Sequence, residues 1–329
     1  MHLRLLEVLA CPKCFGGFQC TPAELDENQQ VISGSLECVT CKRSYPIRSS
    51  IPRFVDDNHY AASFGYQWNR FRLEQIDTDN GKKLSSKRFY AETGWTNQWL
   101  NGKWVLDVGC GAGRFLDVAS KSSAEVVGVD VSNAVDAAGK TLDGRRNVHL
   151  VQASIYELPF RPGTFDGCYC IGVIQHTPDQ KRALQCLPRV LKPAGRLAVT
   201  VYERKPWTHL NAKYIVRPLT RRLNKRFLLF FIKGVMPIVF PVTEILFRIP
   251  YAGRLFMFAI PVANYVNERN LSLKERYRWA ILDTFDMLSP EYDCPQTFRE
   301  VQESLSQVGV RDIRRLTNDG INVVGQIDA

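Results

Sequence analysis

The hydrophobic positions of residues 101–202 repeat one pattern. A short, nearly continuous apolar run gives way to a polar or glycine-rich break, and then to apolar positions at helical spacing. The runs are Trp104–Val108, Glu125–Asp130, 147–153, Phe165–Ile171 and Leu191–Val201. Uninterrupted runs of this length between helix-length segments predict buried parallel strands joined by crossover helices, an α/β fold. Residues 295–307 carry an amphipathic helical pattern. Two further strand patterns follow at 310–316 and 321–326, joined by Thr317-Asn318-Asp319-Gly320, and Asp-Gly between strand patterns signals a hairpin. The expected sheet is Rossmann-like and seven-stranded, with its last strand antiparallel.

Two segments break the pattern. Residues 56–100 alternate polar and aromatic positions, in Phe64-Gly65-Tyr66-Gln67-Trp68-Asn69-Arg70-Phe71 and Lys87-Arg88-Phe89-Tyr90. Asp79-Asn80-Gly81 predicts a turn between two helices there. Residues 203–285 form an insertion between the fifth and sixth strands, where Phe227-Leu228-Leu229-Phe230-Phe231-Ile232 opens a long apolar region. Pro237, Pro241, Pro250 and Pro261 are expected to cut it into short helices. On this reading no apolar run approaches the roughly 18 residues of a membrane-spanning helix.

Charge sharpens the picture of the insertion. The 329-residue chain has an ordinary globular composition, 45% hydrophobic and 23% charged, with a net charge of +10. Between Val201 and Phe285 stand 15 Lys/Arg against 5 Asp/Glu, so this segment carries the whole excess. A local basic excess points to an anionic partner, with nucleic acid and anionic lipid as the usual candidates. Met1-His2-Leu3-Arg4 leads into a run broken by Glu7, which does not read as a secretory signal. Ten cysteines without such a signal indicate a reducing compartment, and the expected location is cytoplasmic.

Four of those cysteines carry chemistry. Cys11-Pro12-Lys13-Cys14 and Cys38-Val39-Thr40-Cys41 are two CxxC knuckles 23 residues apart, with room for a β-hairpin between them. Four thiolates suit tetrahedral zinc, and with no fifth ligand in view the ion would be structural. Cys20 has no partner at this spacing.

The strand Trp104–Val108 empties into Gly109-Cys110-Gly111-Ala112-Gly113-Arg114. Glycines at alternate positions let the backbone turn sharply and let a ligand approach the main chain. A dinucleotide fingerprint would place its third glycine at 114, where Arg114 stands. A second acid, Asp130, ends the next strand 23 residues after Asp107, where a carboxylate can accept from both hydroxyls of a ribose.

Asp107-x-Gly109-x-Gly111-x-Gly113 resembles motif I of class I S-adenosylmethionine-dependent methyltransferases. Leu158-Pro159-Phe160, Thr164-Phe165-Asp166 and Leu191-Lys192-Pro193-Ala194-Gly195 resemble the ubiquinone/menaquinone C-methyltransferase type. The resemblance spans about 60–202 and 285–329. It implies S-adenosylmethionine as cofactor, held by Asp107, Gly109, Gly111, Gly113 and Asp130. It further implies an adenine contact at Ser154 and Ile155, although the family usually carries Asp where Ser154 stands. Related enzymes fold a helical segment over the cofactor just upstream of motif I, so Arg88 or Arg70 would meet the methionine carboxylate, with Arg88 preferred. Most of the aromatics of 56–100 are instead assigned to docking the N-terminal module.

Residues 1–55 look like the small zinc-ribbon family that activates tRNA, rRNA and protein methyltransferases. The resemblance rests on Leu5-Leu6-Glu7-Val8-Leu9-Ala10-Cys11-Pro12-Lys13-Cys14, the second knuckle, Tyr45-Pro46-Ile47 and Ile51-Pro52, with Ser50 where a glycine is usual. It implies a stabilising platform fused to its methyltransferase. The expected organisation is a ribbon (1–55), a helical linker and cofactor cap (56–100), the methyltransferase core (101–202), a helical insertion (203–285) and a closing segment (286–329).

His176, in the loop after the fourth strand, stands where donor and acceptor would meet; it either takes a proton from the acceptor or pins the loop. Asp286 and Tyr292 would line the acceptor site, or else only cap a helix and make a turn. The insertion reads as a lid over a bulky acceptor or as a peripheral membrane contact through 203–262. A small-molecule or lipid-like acceptor is the first reading and RNA the second. A non-catalytic scaffold is the third. The tetrapeptide of base amino-methylation is absent after the fourth strand, where Ile171-Gly172-Val173-Ile174 stands.

Overall fold

The computed structural model describes residues 1–56, 60–317 and 320–328. The chain divides into two compact units, Met1–Glu203 with Tyr292–Ala329, and Arg204–Glu291.

The first unit begins with a four-stranded antiparallel ribbon in the order β1-β2-β3-β4: β1 (Phe18–Leu25), β2 (Val31–Cys38), β3 (Ser44–Arg48) and β4 (Ile51–Pro52). The β1–β2 hairpin fills the space between the two cysteine knuckles. Asp26 closes it, its Oδ1 accepting from the Asn28 and Gln30 N–H groups, each at 2.8 Å. Four helices follow: α1 (Ala62–Arg70), α2 (Asp77–Asn80), α3 (Leu84–Thr93) and α4 (Asn97–Leu100). The sequence predicted two helices parted by a turn at 79–81. Asp79 and Asn80 instead lie inside the single turn of α2, and Gly81 ends it in the left-handed region at φ 67°.

The main sheet then forms in chain order: β5 (Trp104–Val108), α5 (Arg114–Ala119), β6 (Glu125–Asp130), α6 (Ala134–Thr141), β7 (Val148–Gln152), β8 (Phe165–Ile171), α7 (Gln180–Cys186) and β9 (Leu191–Val201). Its spatial order is β10-β11-β9-β8-β5-β6-β7. The predicted seven-stranded sheet is present, and β11 runs antiparallel to both neighbours. The chain builds outward from β5 through β6 and β7, then returns to place β8 on the other side of β5. The β5/β8 boundary is therefore the switch point, where loops at the carboxyl ends diverge and leave a crevice.

Alternation along the strands splits the buried side chains between two faces. Val105, Val126, Tyr169 and Ala198 face one core with Phe89 of α3 and Leu116 of α5. Leu106, Val127, Cys168 and Leu197 face the other. Leu5, Leu9, Val31, Leu36 and Ile47 of the ribbon belong to this second core, so ribbon and sheet share one hydrophobic interior. Backbone bonds reinforce the join: the Ala10 N–H donates to the Pro159 carbonyl (2.9 Å), the Arg161 N–H to Val8 (3.0 Å) and the Phe54 N–H to Gln152 (2.8 Å). Buried Arg53 donates to Gln152 Oε1 (2.7 Å) and to Asp136 Oδ1 (2.5 Å).

The second unit holds α8 (Ala212–Thr220), α9 (Lys225–Leu246), α10 (Ala252–Ala259) and α11 (Leu273–Leu288). It corrects two expectations. The apolar region is not cut at every proline, because α9 runs for 22 residues straight through Pro237 and Pro241. That helix is long and apolar enough to cross a membrane, contrary to the expectation that no such run exists. Each internal proline costs about 3 kcal/mol. Leu228, Leu229, Ile232, Met236 and Phe240 are buried along the inward stripe, each worth roughly 1.5–3 kcal/mol, and their sum outweighs both prolines. Asn224 caps the start, its Oδ1 accepting from the Arg226 (2.9 Å) and Phe227 (3.3 Å) N–H groups. Pro250 and Pro261 do lie outside helices.

The chain closes with α12 (Phe298–Ser306), β10 (Val310–Arg315) and β11 (Ile321–Ile327). Helix α12 starts later than the 295–307 pattern suggested because Thr297 and Glu300 form a reciprocal capping box. Asn318 and Asp319 of the predicted hairpin turn lie outside the described residues.

Candidate functional site

Two sites emerge within the first unit. The first is the cysteine tetrad. The four Sγ atoms of Cys11, Cys14, Cys38 and Cys41 lie within 4.8 Å of one another, with Cys11 and Cys41 at 3.7 Å and Cys14 and Cys38 at 3.4 Å. These separations are far too long for disulfides. Thiolates arranged tetrahedrally at about 2.3 Å from one zinc ion stand about 3.8 Å apart, so the donor set fits that metal. Cys20 sits in β1 outside the tetrad.

The second site occupies the switch point. Gly109, Gly111 and Gly113 all have positive φ, at 84°, 53° and 88°. Space constrains them as well as conformation. A Cβ on Gly109 would stand 2.7 Å from Val173 Cγ1, one on Gly113 2.7 Å from Leu142 Cδ1, and one on Gly111 3.1 Å from Trp68 Nε1. The N–H groups of Gly109 and Cys110 donate to the Val129 carbonyl at 2.7 and 3.1 Å, tying the loop to β6.

That pairing brings Asp130 to the loop. Asp130 Oδ2 accepts from the Gly111 N–H (3.0 Å), and Oδ1 from the Ser132 N–H (2.8 Å) and Oγ–H (2.7 Å). The carboxylate is thereby held in one orientation, and a diol bound there would share these oxygens. The Ala153 N–H donates to the Asp130 carbonyl (3.0 Å), which draws the exit of β7 to the same place. Ser154 caps the next turn by accepting from the Tyr156 N–H (3.2 Å), and Ile155 is buried beside it. Asp107 is buried under the loop, and its Oδ2 has no hydrogen-bond partner among the described residues. Burial pushes its carboxyl well above the usual range; the Tyr169 hydroxyl opposes the shift and the charge of Asp130 adds to it.

The aromatics of 56–100 divide: Trp68 and Phe64 pack at this site rather than against the ribbon, contrary to expectation, whereas Phe89, Trp95 and Trp99 pack on the face of the sheet that holds Tyr169. Trp68 covers Gly111, and Phe64 stands 5.0 Å from the His176 ring. Phe89 packs edge-on to Tyr169 at 5.2 Å, and Tyr60 lies 5.9 Å from the Tyr292 ring. Burial raises the Tyr60 hydroxyl pKa, with Tyr156 and Asp130 adding to the effect. Helix α1 lies against the turn that leaves β6, where a Cβ on Gly65 would stand 3.2 Å from the Asn133 nitrogen, and α3 packs through Phe89 on the Tyr169 face of the sheet. Arg88 donates from Nε to Glu92 Oε1 (2.7 Å), and its Nη2 lies 3.8 Å from the place a Cβ on Gly172 would take. Glu92 in turn accepts from the Thr200 hydroxyl (2.7 Å), so the guanidinium is braced beside the exit of β8. Arg70 is exposed at the end of α1.

His176 is buried in a 3₁₀ turn, Ile174–His176, between Phe64 and Tyr202. Its Nδ1 lies 2.9 Å from the Tyr292 carbonyl. A carbonyl only accepts, so Nδ1 carries the proton and Nε2 keeps its lone pair in the neutral ring. His176 and Tyr292 are thus brought together, through the Tyr292 backbone rather than its phenol. Asp286 lies on α11 in the second unit. Sequence reasoning missed Gln175, which is fully buried with both amide atoms unpartnered among the described residues. It missed Trp68 as well, whose place over Gly111 depends on how α1 is laid, and Tyr60, which meets Tyr292. A separate open cleft of about 540 Å³, lined by Trp95, Arg196, Leu316 and Gly325 among others, contains none of these residues.

Residues 106–199 match the family described as "Methyltransferase domain", and residues 2–50 match the family described as "Trm112p-like protein". The chain therefore carries a methyltransferase domain behind a Trm112p-like region. It is 30% identical over 131 residues to an O-methyltransferase, resE, of Aspergillus sclerotiorum, covering 38% of this chain and 50% of that protein. It is 29% identical over 136 residues to the ubiquinone biosynthesis O-methyltransferase of Dechloromonas aromatica, covering 39% and 59%. The chain spans about half the length of the curated relatives it matches. Among solved structures, a SAM-dependent methyltransferase from Aquifex aeolicus overlaps 45% of this chain and 76% of its own at 24% identity and a TM-score of 0.34. A complex containing the Haloferax volcanii Trm112 methyltransferase activator overlaps 81% of this chain and 98% of its own at 13% identity and a TM-score of 0.44.

Proposed function

We propose that this chain, a methyltransferase domain joined to a Trm112p-like ribbon, transfers the methyl group of S-adenosylmethionine to a small-molecule or lipid-like acceptor, with zinc holding the ribbon. One observation carries the reading: three positive-φ glycines and a fixed Asp130 carboxylate converge at the switch point of a parallel sheet. Backbone without Cβ atoms suits close approach of a ligand, Asp130 suits a ribose, and the Arg88 guanidinium suits a carboxylate. The sulfonium supplies an already activated methyl group. The protein's share is then alignment of nucleophile, methyl and sulfur, and exclusion of water. Trp68, Phe64 and Tyr60 serve the latter.

In this reading His176 chiefly pins the loop after β8, and its Nε2 can accept a proton from an acceptor hydroxyl. Tyr292 contributes its carbonyl to that pin. The curated relatives named as O-methyltransferases favour an oxygen nucleophile.

The test is calorimetry with S-adenosylmethionine on folded protein, followed by transfer of labelled methyl into fractionated extract. Binding with label in the lipid or small-molecule pool supports the proposal; absence of binding by folded protein removes it. The Trm112p-like region favours a second reading, in which RNA is the acceptor. Label in the RNA pool, with binding to tRNA or rRNA that weakens steeply with salt, would establish it instead.

A further inference from the structure

Helix α9 is apolar on both sides. Its inward stripe, Leu228, Leu229, Ile232, Met236 and Phe240, is buried within the second unit. Phe240 meets Tyr277 of α11 at 5.2 Å, Glu244 pairs with Arg276 at 2.7 Å, and the Asn264 amide donates to Thr243 Oγ1 at 2.9 Å. The outward stripe faces solvent and recurs at helical spacing: Phe227, Phe230, Phe231, Ile238, Val242 and Ile245. Phe230 is 75% exposed, Ile238 73% and Ile245 69%. The remaining exposed positions between 227 and 245 are Gly234, Pro237 and Pro241, so no charge interrupts a stripe roughly 27 Å long.

The excess of exposed apolar side chains is local. Fifteen of the twenty exposed large hydrophobics among the described residues lie between Trp207 and Leu273, including Ile215, Leu219 and Leu255. Contiguous exposed apolar surface of this kind marks an interaction face rather than chance.

Charge identifies the partner. No Asp or Glu occurs from residue 204 to 243, whereas nine Lys/Arg do. Arg217 is buried and spent on the Met287 and Pro290 carbonyls. Arg222 and Arg226, at the start of α9, are exposed, as is Arg254 of α10 beyond its end. Aliphatic and phenyl side chains bracketed by cations suit the interface of an anionic bilayer, where acyl chains take the former and phosphates the latter.

We propose that α9 docks the protein, in the plane of the membrane, on an anionic bilayer surface. The helix lies on the surface rather than across it because its inward stripe and the Glu244–Arg276 pair are already engaged within the unit. This inference is independent of the methyl-transfer reading, since lipid binding is measured without cofactor or acceptor.

The test is flotation of the full-length protein with vesicles of phosphatidylcholine alone or mixed with phosphatidylglycerol, over a salt series. Expected is binding to the mixed vesicles only, weakened by salt, and reduced at least roughly tenfold by Phe230→Glu or Ile238→Glu and by Arg222→Glu with Arg226→Glu. These positions are exposed, so unchanged circular dichroism should accompany the loss. Three outcomes would overturn the proposal: no binding to mixed vesicles, equal binding by the stripe variants, or resistance to alkaline extraction, which would mean a spanning helix. A concentration-dependent dimer in light scattering that Ile238→Glu dissolves would overturn it too, by assigning the stripe to a second copy.

Discussion

Leu9→Ala tests whether the ribbon and the seven-stranded sheet melt as one. Leu9 is fully buried, pairs with Phe160 across an antiparallel bridge, and belongs to the core that also holds Leu106, Val127 and Cys168. Truncating such a leucine costs about 2–5 kcal/mol, because the site relaxes only partly into the cavity. A cooperative unit of this size loses about 2–4 °C per kcal/mol, so a cost of about 3 kcal/mol predicts a fall of roughly 6–12 °C. Tryptophan fluorescence leaves the ribbon out, since it has none of the six tryptophans: Trp68, Trp95, Trp99 and Trp104 belong to the rest of the first unit, and replacing Trp207 and Trp279 of the second unit by Phe confines the signal to them. A drop in the tryptophan transition therefore reports the sheet responding to a change in the ribbon. Removing the zinc proposed for the cysteine tetrad with a strong chelator should act alike, since structural zinc binding of about 10–16 kcal/mol rivals the whole stability of a typical domain. The reasoning fails if Leu9→Ala or chelation releases zinc to a chromophoric indicator while the tryptophan transition stays put.

Gly109→Ala forces a positive-φ alanine, costing about 1–2 kcal/mol, and drives its Cβ against Val173; calorimetry should show S-adenosylmethionine binding lost while the zinc content is kept. His176→Asn preserves a side-chain N–H for the Tyr292 carbonyl but removes the second ring nitrogen, so a pinning role predicts turnover within about tenfold of wild type and a general base predicts a loss of roughly 10²-fold or more. Gln175→Met removes two buried, unpartnered amide atoms, so the melting temperature should rise; a simultaneous loss of acceptor or cofactor affinity would mark the amide as a ligand contact, and a fall in melting temperature would contradict the assignment. His149 is buried beside Glu125, and burial lowers its pKa despite that carboxylate. The unfolded chain then takes up its proton first, so this group's contribution to stability is present above about pH 6.5 and shrinks as pH falls below it. Urea denaturation between pH 5 and pH 7 should show a shallower pH slope for His149→Gln than for wild type, and equal slopes would refute it.

Much of the architecture was legible in the chain because local pattern and tertiary context agree there. Buried parallel strands need near-continuous apolar runs, and Trp104–Val108, Glu125–Asp130 and Phe165–Ile171 supply them at crossover spacing. The three glycines announced a tight loop because alternate residues without Cβ atoms free the backbone to turn, and all three take positive φ against close neighbours. The cysteine tetrad was equally legible, since a CxxC pair commits its thiols to one turn wherever the turn is placed.

What failed were inferences in which a local rule met a larger tertiary term. Pro237 and Pro241 should end a helix, yet the inward stripe of α9 buries enough surface to carry the helix past both. Asp79-Asn80-Gly81 became the end of a short helix rather than an open turn, because Asp77 takes the N–H groups of Ser85 and Ser86 (2.9 and 2.7 Å) and draws α2 and α3 together. The aromatics of 56–100 carry no label saying which surface they cover. The sequence alone determined the sheet, the glycine loop with its two acids, and the four thiols, since each depends on neighbours within a strand or turn. Only the tertiary structure decided that Trp68 covers that loop, that Phe64 and Tyr60 meet His176 and Tyr292, that Gln175 is buried without a side-chain partner, that the ribbon shares the core of the sheet, and that α9 leaves an apolar stripe uncovered. Those facts depend on contacts between residues far apart in the chain, where burial rather than local conformational preference sets the outcome.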